Sequence, residues 1–161
     1  MAGVLVEVGG ESRFEVPPAR LFEALTDPAM MVKLIPDVES YTTNGTDTID
    51  CVVRPGFSFL RGTLKLKVVF TEIHPPEESV AGWATMRVVS QGIGATMELE
   101  SRMEIQALPE GAVLKWQAQV TKLQGLIATV SRSLIQAAAG RIAEQTWEKL
   151  RRDLQTPETT E

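Results

Sequence analysis

The strongest constraint on the fold of this chain is the run from Leu126 to Leu154, which contains no proline, a single glycine at Gly140, and a high share of helix formers. As one helix it would be roughly 42 Å long at about 1.5 Å per residue. The alternating run at residues 60–73 would span roughly 46 Å at about 3.3 Å per residue. Helix and strand therefore match in length, and strands this long must curve around whatever they cover.

Upstream of that helix the chain reads as strands with one interruption. The first, residues 4–16, carries Leu5, Val6, Val8, Phe14 and Val16 in imperfect alternation, broken by Gly9-Gly10, a place for a bulge or bend. Pro17-Pro18 ends it. Leu21, Phe22, Ala24 and Leu25 then share one face of a short helix from Pro18 to Leu25. Asp27 as N-cap, with Pro28 in the first helical position, opens a second short helix that runs through Leu34 and stops at Pro36. Six strands follow, at residues 38–43, 47–54, 60–73, 79–90, 95–107 and 112–123. Asn44-Gly45, Pro55-Gly56, His74-Pro75-Pro76, Gly92-Ile93-Gly94 and Pro109-Glu110-Gly111 join them. Joints this short imply an antiparallel meander.

The alternation gives the sheet one apolar face. Leu64, Leu66, Val68 and Phe70 oppose Lys65, Lys67 and Thr71. Met97, Leu99, Met103 and Ile105 oppose Glu98, Glu100, Arg102 and Glu104. Leu114, Trp116, Ala118 and Val120 oppose Lys115, Gln117, Gln119 and Thr121. The expected class is α+β: a curved seven-stranded antiparallel sheet around a long C-terminal helix, with two short helices between strands 1 and 2. Residues 1–154 form one domain in this reading. Residues 155–161, with Pro157 and no apolar pattern, form a disordered tail.

Composition narrows the function. No stretch approaches the roughly 18 apolar residues of a membrane span. The N-terminus has neither the basic stretch nor the apolar core of a secretory signal, so a cytoplasmic location is expected. Cys51 and His74 are the only residues of their types, too few for a disulfide or a structural zinc site, and no cofactor is expected. A net charge of −5 offers nucleic acid no electrostatic footing.

Two stretches carry a family resemblance. Phe14 to Ser40 has Phe22, Asp27-Pro28 and Ile35-Pro36. Leu114 to Leu150 has Trp116, Ala118, Gly125, Leu126, Ala128 and a run of small residues before Trp147. With the element order, they resemble the SRPBCC superfamily, the helix-grip fold of START lipid-transfer domains, and within it the branch of CoxG, a carbon monoxide dehydrogenase subunit. That branch often reads Ile-Pro-Gly where this chain has Ile35-Pro36-Asp37, and two aromatics where it has Thr146-Trp147. The resemblance implies a protein that holds an apolar small molecule. It also implies an accessory of a molybdenum carbon monoxide dehydrogenase or related redox enzyme, with peripheral membrane contact or quinone supply as its role.

Candidate site residues follow from the apolar face. Glu98, Glu100 and Glu104 point outward, His74 falls in a loop without an evident partner, and Cys51 sits in a strand as a buried thiol, so no catalytic group is assigned. The ligand-lining candidates are Leu66, Val68, Met97, Leu99, Met103 and Trp116 from the sheet. From the helix they are Val130, Leu134, Ala137, Ala138, Arg141 and Gln145, and from the loop after Pro55 they are Phe57 and Phe59. Ala137 to Gly140 either let the sheet approach and pack dry or leave room for a guest. Arg141 and Gln145 are either wet residues of an emerging helix end or polar anchors at a cavity mouth. Phe57 and Phe59 either cap the core or form a lid. Two other classes stay compatible. A cyclase- or hydrolase-type enzyme requires Arg141, Gln145 and His74 to converge, and a co-chaperone-like interaction protein requires a filled core.

Overall fold

The computed structural model describes residues 4–56 and 61–155, the last of these by its backbone. Strand β1, Val6–Phe14, leads into helix α1, Pro18–Thr26, whose Leu21, Phe22, Ala24 and Leu25 are all buried. Helix α2, Pro28–Met31, starts where expected. Asp27 caps it by accepting a hydrogen bond from the Ala29 N–H at 3.0 Å, and a 3-10 turn, Val32–Leu34, completes it. The capping matters because the first N–H groups of a helix have no partner inside it.

The meander comprises β2 (Val38–Asn44), β3 (Thr48–Val53), β4 (Leu64–His74), β5 (Gly82–Gly92), β6 (Ala95–Leu108) and β7 (Gly111–Gly125). All pairs are antiparallel, in the order β1-β7-β6-β5-β4-β3-β2, so the last strand pairs with the first. A 3-10 turn, Leu126–Thr129, then precedes helix α3, Arg132–Gln155. This is the helix-grip architecture that the residue pattern and the resemblance imply. One apolar face of the sheet, with Ile49, Val68, Phe70, Ala84, Ile105 and Leu114 all buried, is covered by α3 and the two short helices.

The structure corrects several expectations. Gly9-Gly10 forms no bulge: β1 pairs with β7 in unbroken register from Val6↔Val120 to Phe14↔Ala112. These glycines make room instead. A Cβ on Gly9 would lie 2.8 Å from the Trp116 carbonyl, and one on Gly10 would lie 3.3 Å from the Trp116 indole nitrogen. Register shifts fall elsewhere, at Val38/Ser40, Phe70/Glu72 and Glu98/Leu99.

The long helix begins at Arg132, not Leu126. Gly125, at φ 77°, turns the chain, and Ser131 caps the new helix by accepting from the Leu134 N–H at 3.2 Å. With this start Ile135 rather than Leu134 faces the core, while Ala138 and Ile142 keep the inner side of the helix. Outer-face charges pair across adjacent strands. Strand β6 lies between β5 and β7, so Glu100 meets Arg87 at 3.4 Å and Glu98 meets Lys122 at 3.3 Å.

Candidate ligand-binding cavity

A cavity of about 360 Å³ lies between the first half of α3 and the sheet, within the range typical of small-molecule sites. Its ceiling is Ile135, Ala138, Ala139 and Ile142, which recur at helical spacing on one face of α3. Its floor comes from four strands: Val53 of β3, Leu64 and Leu66 of β4, Val88 and Ser90 of β5, and Ala95 and Met97 of β6. These alternate with outward residues such as Lys65 and Gln91, as the pleat requires. Ile127 walls one side. Ile35, Pro36 and Asp37, with Pro55 and Gly56, meet the polar side chains Arg141 and Gln145 at the remaining margin.

The alanines face this space. At Ala138 and Ala139 a larger side chain would occupy the cavity, so the short side chains stand over space and not over a close-packed sheet. Gly140 serves no close contact either, since a Cβ there would meet nothing within 4 Å. Arg141 and Gln145 lie one turn apart on α3, both exposed, both at the rim. Their exposure fits a wet stretch of helix, and their place beside the lining fits a polar margin.

Among the sequence-derived candidates, Leu66, Met97, Ala138, Arg141 and Gln145 come together here. Val68 and Leu99 flank Val88 on the neighbouring strands without lining the space. Met103 pairs with Trp116 farther along the sheet, and Trp116 packs against Trp147 with ring centres 6.0 Å apart. Val130 closes the 3-10 turn before α3 and is half-buried against the core. Leu134 is 44% exposed and Ala137 is also exposed, both turned from the sheet by the later helix start. Phe57 and Phe59 lie outside the described residues.

Sequence reasoning overlooked Ile135, Val88, Ala95, Ser90 and the Pro36-Asp37 corner. Val88 and Ser90 were within reach, because the alternation Ala84, Met86, Val88, Ser90 places a hydroxyl on the apolar face. Asp37 had a signal as well. It sits at φ 62°, a left-handed conformation that glycine adopts without strain, and its carbonyl accepts from the Arg54 N–H at 3.0 Å. The glycine often found at this position in the resembling family fits the same backbone.

His74 is elsewhere. It ends β4, stacks on Trp83 at 4.1 Å between ring centres, and places Nε2 3.4 Å from a Glu72 carboxylate oxygen on the exposed surface. Cys51 is buried, and burial, with the Asp50 charge adding to it, pushes its thiol above the ordinary range. It is a neutral thiol in the core. Among the described residues no cluster of three His, Cys, Asp or Glu side chains is placed to hold a metal ion, and no helix is long and apolar enough to cross a membrane.

Solved structures share this architecture across nearly the whole chain. A conserved protein from Geobacillus kaustophilus matches with a TM-score of 0.82 at 15% identity, covering 92% of this chain and 94% of the other. A protein from Rhodobacter sphaeroides matches at 0.64 and 17% identity, covering 97% and 96%. A START superfamily protein from Mycobacterium smegmatis matches at 0.62 and 12% identity, covering 90% and 94%. At such identities they establish the fold alone. No curated protein matches the chain. The family model of the carbon monoxide dehydrogenase subunit CoxG matches residues 10–155, which takes in every strand and helix lining the cavity, and the chain belongs to that family.

Proposed function

We propose that this protein holds a hydrophobic or amphipathic small molecule, of lipid, quinone or polyketide-like type, in the cavity between α3 and the sheet, and performs no chemistry on it. The observation that carries this reading is the cavity itself: about 360 Å³ of space beneath Ala138 and Ala139, walled by aliphatic side chains with polar groups at few points. Met97 on its floor has a flexible, polarisable side chain suited to guests of differing shape. An enzyme built on Arg141, Gln145 and His74 lacks support, since His74 stacks on Trp83 away from the cavity.

The family adds a second element to the proposal. The CoxG name links its members to carbon monoxide dehydrogenase, and we infer that this chain serves as an accessory of a molybdenum carbon monoxide dehydrogenase or a related redox enzyme. Native mass spectrometry of the purified protein, followed by solvent extraction, tests the binding element: a bound small molecule displaced by Ala139→Leu is expected. An empty protein that also fails to take up added lipids and quinones would overturn it. Affinity purification from the native host tests the accessory element, with a molybdenum hydroxylase as the expected partner and its absence as the opposing result.

A further inference from the structure

We propose that Ser90 is the deep hydrogen-bonding point of this cavity, selecting ligands that carry an oxygen at their buried end over hydrocarbons of the same shape. The inference rests on the reading that the cavity holds a small molecule, and it specifies which kind.

Ser90 and Thr146 are the two buried polar residues of the described core. They differ in one respect. The Thr146 hydroxyl donates to the Ile142 carbonyl at 2.8 Å, one turn back along α3, and is satisfied inside the protein. Ser90 is 3% exposed and lines the cavity floor, yet its hydroxyl has no hydrogen-bond partner among the described residues. Its cross-strand neighbours on that floor are Leu66 and Met97, and neither offers a hydrogen-bonding oxygen or nitrogen from its side chain. Alternation along β5 turns the Ser90 side chain to the same face as Val88, toward the space and away from the outer surface.

The hydroxyl is open to the cavity and not sealed in the core, so it stays satisfied only as long as what fills the cavity offers it a polar partner; a hydrocarbon that expels water leaves it unpaired. The hydroxyl is both donor and acceptor, so it can pair with a carbonyl, an ether or another hydroxyl. A saturated chain entering tail first would leave it unpaired. A compact apolar body with a carbonyl or hydroxyl at its leading end would satisfy it. The other polar side chains of the cavity, Asp37, Arg141 and Gln145, are all exposed at its rim, so they do not substitute for the buried Ser90.

Two probes of nearly equal shape test this: 2-naphthol and 2-methylnaphthalene, each measured by equilibrium dialysis against the full chain and against Ser90→Ala. The wild-type protein is expected to favour 2-naphthol by about tenfold, the worth of one net hydrogen bond. Ser90→Ala is expected to lose that preference while holding 2-methylnaphthalene as before, and its ligand-free melting temperature should not fall. A wild-type protein that binds both probes equally, or a preference that survives in Ser90→Ala, overturns the role of Ser90 and leaves the cavity reading standing. A lowered melting temperature of ligand-free Ser90→Ala also overturns it, because the hydroxyl would then be bonded within the protein. Failure of both probes to bind the wild type removes the cavity reading itself, and this inference with it.

Discussion

The two halves of α3 do opposite things with the same secondary structure. The first, Arg132 to Gln145, presents Ile135, Ala138, Ala139 and Ile142 to a cavity and exposes Leu134 and Ala137. One side-chain hydrogen bond, from Gln136 to the Glu7 carbonyl at 3.2 Å, ties it to β1. The second half, from Thr146 onward, is anchored. Leu150 and Leu154 are buried, Trp147 lies against Trp116, and Lys149 donates to the Lys33 carbonyl beside α2. Arg151 reaches Ser12 Oγ at 2.6 Å and the Arg13 carbonyl at 3.1 Å, and its guanidinium lies 4.9 Å from the centre of the Phe14 ring. A helix is cooperative along its length, so anchoring one half lets the other roof a space that its own contacts would not support.

The sharpest break of this comparison is Leu150→Ala, in the anchoring half. Leu150 is 2% exposed, and its truncation should cost about 2–5 kcal/mol of unfolding free energy, read by chemical denaturation. A loss no greater than that of an equivalent change in the roofing half would show the halves to be alike. The polar ties should rank the same way. Arg151→Ala is expected to cost about 1–2 kcal/mol, since it removes charge-assisted hydrogen bonds and a ring contact together, whereas Gln136→Ala should stay below about 1 kcal/mol. Denaturation of the pair of variants under one buffer checks the order.

Ala139→Leu sharpens the comparison from the other side. Filling space beneath the roof should change stability by less than about 1 kcal/mol, while weakening 2-naphthol binding by at least about tenfold, as equilibrium dialysis would report. A large destabilisation would mean that the roofing half is close-packed after all. The smallest expected effect is at the rim. Asp37→Gly relieves a left-handed backbone and should stabilise by about 0.5 kcal/mol, visible as a slight rise in melting temperature.

Much of the framework was legible because its signals are local. Pro17-Pro18, Asp27-Pro28 and the turn residues stop or start elements by their own stereochemistry, and the alternation of Leu64, Leu66, Val68 and Phe70 against lysines marks a face whatever lies opposite. The cavity was legible only in part. Ala138, Arg141, Gln145, Leu66 and Met97 were identified through helical and strand periods, but the phase of α3 depends on where the helix begins. Gly125 and Ser131 set that point through a turn and a cap, which apolar periodicity does not register. Leu134 and Ala137 were misplaced for this reason, and Ile135 overlooked.

By itself, then, the sequence determined the class, the strand count, the one-sided sheet and the match of helix to strand length, all of which follow from short-range stereochemistry and the period of burial. Only the tertiary structure decided that α3 is anchored at one end and stands over open space at the other. That outcome depends on how residues far apart in the chain, such as Ala138 above Ser90 or Arg151 beside Ser12, divide a shared volume, and no local pattern records that division.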